Sequence, residues 1–328
     1  MRALVAAAAA AVFLTFAAAP VHPVWAQTGW PNRPLKFVTS FAPGASPDIV
    51  CRIVADRLSR GSLGQQVVVE NRPGASNVIA AQAVARAPAD GYTYFFATAA
   101  AMVTNSLTFK SLAYDPVKDF TPVALIGKST FMVLVNPNVP AKSLAELVAL
   151  EKAKPGSLSF ASDGPRNLSG MLGAWLNRIA ETKMVQVAYA NIPQGVQDTI
   201  ANRTQLVILS MTAAAPLVHG GQLRPLAVST AERVPGYEAV PPVADTFPGF
   251  DFSGWFGIVA PAETPRDVVV RMSREIDAAL QDPTVRQKLA DGGLAVERDA
   301  TPEKFAAFLG AERARWARVV KDIGIEPE

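Results

Sequence analysis

Residues 37–58 read FVTSFAPGASPDIVCRIVADRL, and the reading of this stretch decides the fold. Leu35, Phe37, Thr39 and Phe41 alternate onto one face of a strand, with Val38 on the other. Ile49, Val50, Ile53, Val54 and Leu58 then recur at helical spacing. Ser46 is expected to cap that helix, with Pro47 at its first position, where a missing N–H costs nothing. Between strand and helix, Ala42, Pro43, Gly44 and Ala45 carry little side chain. Backbone N–H groups there stay approachable at the positive end of the helix dipole, which suits a carboxylate. A tight connection that binds nothing would look the same, so this stretch establishes a strand–loop–helix unit and leaves its use open.

The segments on either side set the bounds. Met1-Arg2, an Ala-rich apolar run to Ala19, and small residues at Val24 and Ala26 before Gln27 read as a secretory signal peptide over residues 1–26. A retained membrane anchor is the alternative. Removing that segment leaves enough of the 328 residues for two domains at roughly 150 residues each. A chain of this size buries enough surface to need no staples. The single cysteine, Cys51, can form no internal disulfide, and its place beside Ile53 and Val54 marks it as a buried small hydrophobe. The net charge of +3 comes from scattered residues with no basic stripe, which gives no footprint for nucleic acid.

Further along, strands and helices alternate, which predicts an α/β protein with mostly parallel strands. Strands are expected at 67–69, 92–98, 158–161, 184–188, 205–210, 223–229 and 255–260, with extended segments at 116–128 and 131–135. Ser143 and Glu146 form a capping box. A second strand–loop–helix unit places Ser162, Asp163, Gly164, Pro165, Arg166 and Asn167 before a helix with Leu168, Leu172, Trp175, Leu176 and Ile179 on one face. The Pro-rich segment 231–251 reads as a connector returning between domains. Thr264-Pro265, Asp282-Pro283 and Thr301-Pro302 announce three terminal helices.

Catalytic sets are missing from this sequence. After the signal peptide only His219 remains, followed by Gly220-Gly221 at a helix end, where a polar residue is favoured for local reasons. There is no G-x-S-x-G elbow, Walker loop or G-x-G-x-x-G. One Cys and one His make no ordinary zinc or iron site, so no metal and no cofactor are expected. The pattern points to binding rather than turnover.

The segments FAPGASPDIVCRIVADRLS (41–59), VVVENRPGASNVIAAQAVARAPADGYT (67–93) and WFGIVAPAETP (255–265) resemble the tripartite tricarboxylate transporter substrate-binding proteins, the Bug family of periplasmic receptors. The resemblance extends from Trp30 to Ile325. It implies a type II periplasmic-binding-protein fold, a two-lobed Venus flytrap in which each lobe is a mostly parallel sheet flanked by helices. Residues 27–127 with 251–328 would form one lobe and 128–250 the other. It implies a monomer that binds a small organic carboxylate, whether mono-, di- or tricarboxylate or aromatic, and passes it to the membrane permease subunits of such a transporter. A receptor that reports to a sensor kinase is the alternative, and a periplasmic enzyme a remote one.

Carried over by position, Phe41, Ala42, Gly44, Ala45 and Ser46 would form one jaw. Ser162, Asp163, Gly164, Arg166 and Asn167 would form the other, with Thr98, Tyr189 and Ser210 lining the cleft from strand ends. Several residues depart from the family pattern. Ala45 replaces a second glycine, Gly170 stands where a histidine is usual, and Ser210 stands where an aspartate often does. Loss of that acceptor and the presence of Arg166 are expected to favour more acidic or differently shaped ligands and to disfavour those bearing an ammonium group. Arg166 pointing to solvent is the competing expectation.

Overall fold

The computed structural model describes residues 29–327, so the expected signal peptide lies outside the described residues. The opening stretch forms β1 (Leu35–Thr39) and α1 (Ser46–Ser59). Val50, Cys51, Val54, Ala55 and Leu58 make the buried stripe of α1. Cys51 is fully enclosed, and burial pushes its thiol well up from its ordinary range. Then follow β2 (Val67–Asn71), α2 (Val78–Ala85) and β3 (Thr93–Thr98). A π-helical turn at Ala100–Thr104 runs into the short α3 (Asn105–Thr108). The middle of the chain supplies β4 (Phe120–Val135), α4 (Leu144–Ala153), β5 (Ser159–Ser162), α5 (Leu168–Ala180), β6 (Val185–Ala188), α6 (Ile192–Ile200), β7 (Leu206–Ser210), α7 (Met211–His219) and β8 (Arg224–Val228). The chain closes with β9 (Ser253–Pro261), α8 (Arg266–Gln281), α9 (Pro283–Asp291), β10 (Leu294–Val296) and α10 (Pro302–Ile323). No helix among the described residues is long and apolar enough to cross a membrane.

The strands run in the order β2-β1-β3-β9-β4-β7-β5-β6, with β8 and β10 also on β4. The two extended segments expected at 116–128 and 131–135 are a single strand. From Phe120 to Thr130, β4 pairs antiparallel with β9; from Phe131 to Val135 it pairs antiparallel with β7, and from Met132 also with β8. One strand thus serves both halves of the sheet. Its partners lie far apart in sequence, so no local pattern marks its continuity. The expectation of mostly parallel lobes also needs correction. Among strand pairs, parallel pairing is confined to β1 with β2 and β3, and β5 with β6 and β7, while every strand pair involving β4 or β9 is antiparallel. The strand expected at 67–69 is an edge of the sheet, and Val68 is 51% exposed.

Two crossings join the halves, and Ser229 ties them together. Its N–H donates to Phe131 O at 2.9 Å and its carbonyl accepts from Phe252 N at 2.9 Å. Its hydroxyl accepts from Phe131 N at 2.9 Å and donates to Phe252 O at 2.6 Å. Aromatic rings seal this region: Phe131 meets Phe252 edge-on at 5.9 Å, and Phe252 meets Trp316 at 5.3 Å. Below them the buried Glu312 carboxylate accepts from the indoles of both Trp255 (3.0 Å) and Trp316 (3.1 Å). Indole N–H groups need such a partner when buried.

Side-chain caps mark the starts of α4, α9 and α10. Asp282 accepts from Thr284 N and Val285 N, and Thr301 from Lys304 N. Ser143 accepts from Glu146 N, but the Glu146 carboxylate returns to Lys142 N rather than to Ser143. Thr264 is not the cap of α8, because its hydroxyl turns back to Pro261 O and Pro265 takes the cap position without a side-chain bond.

Candidate ligand-binding cleft

The floor of the cleft is a band of strand ends. Thr98 on β3 lies opposite Phe256 on β9, Ser129 on β4 lies opposite Gly254 on β9, and Phe131 on β4 lies opposite Ser210 on β7. Together with Phe41, Ala45, Ser46, Pro47, Asp163 and Asn167 from above, these residues line a cavity of about 60 Å³. A second cavity of about 100 Å³ adjoins it and is lined by Ser40, Ala42 and Gly74–Asn77 from one half of the sheet and Ala190 from the other. Phe41, Asp163, Asn167 and Ile192 line both, so they stand at the passage between them.

Three helices begin at this space. The cap positions are Ala45 for α1, Asn167 for α5 and Ser210 for α7, and none makes a side-chain cap bond. The first N–H groups of a helix have no partner within it. Here α1 comes from one half of the sheet and α5 and α7 from the other, so positive helix ends face the space from both sides. The floor adds two orphans. The hydroxyls of Thr98 (5% exposed) and Ser129 (1% exposed) have no hydrogen-bond partner. An enclosed hydroxyl without a partner costs on the order of 1–3 kcal/mol, and a polar ligand would relieve that cost.

Direct contacts already hold the cleft shut. Ser46 Oγ and Ser210 Oγ are 2.6 Å apart. Ser46 does not cap its helix as expected: Ala45 holds the cap position, Ser46 is the first helical residue, and Pro47 the second. Asn77 Nδ2 donates to Asn167 Oδ1 at 2.6 Å, and Asn167 Nδ2 donates to Asp163 O at 2.7 Å. Asn77 reaches across because Ala75, Ser76 and Asn77 all have positive φ (46°, 49° and 75°). Such residues cost of order 1 kcal/mol each unless their surroundings fix them. Ser40 Oγ to Asn77 Oδ1 (2.6 Å) and Asn105 Nδ2 to Ser76 O (2.7 Å) do so.

Asp163 is the sole ionisable residue lining either cavity among the described residues. Burial pushes its carboxyl up to about 6, against the opposing hydrogen bond from Ser169. Ser169 Oγ donates to Asp163 Oδ1 and accepts from Asp163 N. Beneath the first jaw, burial works against the charge of Asp48, yet Arg52, Asn71 and the Gly44 amide outweigh it and hold that carboxyl below its usual range.

Of the residues expected at the site, Phe41, Ala45, Ser46, Thr98, Asp163, Asn167 and Ser210 line the inner cavity, and Ala42 lines the outer one. The others do not line either. The Gly44 N–H is spent on Asp48 Oδ2 at 2.9 Å. The Ser162 hydroxyl oxygen accepts from Gln186 Nε2 at 2.7 Å and from Gly164 N at 3.3 Å, which occupies both of its lone pairs. The Tyr189 hydroxyl donates to Asp198 Oδ2 at 2.8 Å. The Arg166 guanidinium lies 4.4 Å over the Phe109 ring. The expected shift toward acidic ligands through Arg166 therefore loses its basis: the charged group in the cleft is an acid. His219 is exposed, stacked on Tyr237 at 5.6 Å and remote from the cavity lining. Residues missed from the sequence include Ser129, Phe131, Trp255, Phe256, Asn77 and Ser169; for Asn77 the NRPGAS turn was the available signal.

Two halves of a sheet joined by paired crossings, with helix ends and orphaned hydroxyls meeting between them, define a two-lobed solute-binding protein. The sequence matches the tripartite tricarboxylate transporter family receptor over residues 50–325, and the chain belongs to that family. It is 33% identical to Protein BugT of Bordetella pertussis over 92% of each chain. Among solved structures it is similar to Rpa4515 of R. palustris with adipate, at 32% identity and a TM-score of 0.88, covering 92% of this chain and all of that one. It is also similar to MatC of Rhodopseudomonas palustris with bound malate, at 29% identity and a TM-score of 0.84, covering 89% and 100%. The family is one of receptors, not enzymes.

Proposed function

We propose that this chain is a periplasmic receptor that captures a small organic carboxylate between its lobes and delivers it to the permease of a tripartite tricarboxylate-type transporter. The observation that carries the reading is the meeting of three uncapped helix N-termini with the orphaned Thr98 and Ser129 hydroxyls in one closed space. A carboxylate there would accept from backbone N–H groups and hydroxyls. Charge-assisted bonds of roughly 1.5–3 kcal/mol each would outweigh helix-dipole contributions of about 0.3–1 kcal/mol.

The adipate and malate in the two related structures support a carboxylate as ligand. The lobes we assign are residues 31–130 with 253–327, and 131–229, joined through β4 and the segment 230–252. This refines the boundaries expected from sequence by placing the switch at the partner change in β4. Residues 1–26 would direct export, and the mature chain would act as a monomer.

The test is a thermal-shift screen of carboxylates on the mature chain, followed by solution scattering. Hits accompanied by contraction of the particle are expected. No shift with any carboxylate at millimolar concentration would defeat the reading.

A further inference from the structure

We propose that the ligand is a monocarboxylate with a ring-sized apolar body, and that Asp163 selects it by accepting a hydrogen bond from a hydroxyl or other donor at the end opposite the carboxylate. This deepens the carboxylate-receptor reading and rests on it.

The chemistry of the walls is lopsided. Groups able to hold an anion lie on the inner side: Ser46, Ser210, Thr98, Ser129 and the starts of α1 and α7. The outer cavity has polar side chains of its own, Ser40, Ser76 and Asn77, but Ser40 and Asn77 are bonded to each other and Asn77 also to Asn167. Apart from Asp163 and Asn167 at the passage, and Ser169 bonded to Asp163, the rest of the inner wall is mostly carbon, with Phe131, Trp255, Phe256, Leu168, Ile208 and Leu209 prominent. A small hydroxylated di- or tricarboxylate would leave its polar groups against these rings without partners, at a cost of about 1–3 kcal/mol each. A flat apolar body would lose nothing there, and would gain ring contacts.

Size agrees with this. The adjoining cavities of about 60 and about 100 Å³ together come near the roughly 150 Å³ that accommodates benzene in an engineered apolar core. A six-membered ring with one carboxylate is the scale that fits.

Asp163 sets the rule at the far end. It lines both cavities, so a ligand passing from the inner to the outer one runs by its carboxylate. Its Oδ1 is engaged by Ser169, and no hydrogen bond within the protein is recorded for Oδ2 among the described residues, so Oδ2 is the oxygen we assign to the ligand. No Lys or Arg lines either cavity among the described residues, so a second ligand carboxylate would meet a like charge with no cation to offset it. A hydroxyl in the same place would instead donate to Asp163, a bond to a charged group.

The experiment is isothermal titration of the full mature chain at neutral pH with benzoate, 4-hydroxybenzoate, terephthalate and adipate. We expect 4-hydroxybenzoate to bind at least about tenfold tighter than benzoate, and terephthalate at least about tenfold weaker than 4-hydroxybenzoate. In Asp163→Asn, whose folding is checked by circular dichroism, both ratios should shrink to within about threefold. Terephthalate or adipate binding as tightly as the monocarboxylates would overturn this inference while leaving the carboxylate-receptor reading intact. So would benzoate matching 4-hydroxybenzoate in the wild type, or failure of all four probes where another carboxylate of the thermal-shift screen binds. Silence toward every carboxylate would instead bring down the receptor reading itself.

Discussion

Replacing Asp163 by Asn removes a charge from the cleft with almost no change of shape, and its consequence for stability can be worked out without any ligand. Burial raises this carboxyl from an ordinary 3.8 to about 6 in the folded protein, despite the Ser169 bond. The folded state therefore holds the proton more tightly than the unfolded chain. The stabilisation from this group is complete below about 3.8 and is lost as pH rises through about 6. At roughly 1.4 kcal/mol for each tenfold change in proton affinity, the full loss is about 3 kcal/mol. Wild type and Asp163→Asn should therefore differ little in this respect near about pH 4 and diverge up to about pH 7, with the variant gaining about 2–3 kcal/mol relative to wild type. Urea denaturation of both ligand-free proteins over a pH series measures this. The difference between the two curves cancels the titration of distant carboxylates. A difference that stays flat with pH, or that moves in favour of wild type as pH rises, would refute the assignment of Asp163 as a carboxylate confined in a closed cleft.

Other outcomes follow from single contacts. Ser46→Ala and Ser210→Ala should each weaken ligand binding, and a double-mutant cycle by titration calorimetry should show a coupling of about 1 kcal/mol; additive losses would mean that the 2.6 Å bond across the cleft contributes nothing. In Gly170→Ala the new Cβ would fall 2.1 Å from Gly164 O and 2.4 Å from Gln186 Nε2. That should lower stability by roughly 1–3 kcal/mol and displace the 163–167 turn, and an unchanged melting temperature would contradict it. Glu312→Ala leaves two buried indole N–H groups without an acceptor and should cost on the order of 3 kcal/mol in denaturant titrations, whereas Glu312→Gln should cost less.

The departure at Gly170 shows how a family pattern and a structure complement each other. Sequence comparison marks the position as unusual but offers no reason. In the fold, the carbonyl of Gly164 and the amide of Gln186 press against α5 at this point, and no side chain fits. The tight approach brings the turn carrying Asp163 down onto the cleft. Arg166 illustrates the opposite case: its type and its loop suggested carboxylate recognition, but three residues of turn carry it past the cavity to Phe109, on the other half of the sheet.

The features legible along the chain were those whose causes are local. The β1–α1 unit, the alternation of strands and helices, and the caps at Ser143, Asp282 and Thr301 depend on neighbours within a few residues, and side-chain period and hydrogen-bonding capacity suffice to reveal them. Features set by distant pairing were not legible. The polar residues Lys128 and Ser129 interrupt an apolar run and look like a break, yet the strand continues because Trp255 and Gly254, more than a hundred residues away, supply its partners. The same pairing turns Ser129 inward, where its orphaned hydroxyl lines the same cavity as that of Thr98. Charge in the cleft was likewise a tertiary outcome. Asp163 and Arg166 stand three positions apart in one turn, and only the packing of α5 against the sheet decides that the acid faces the ligand space and the base does not.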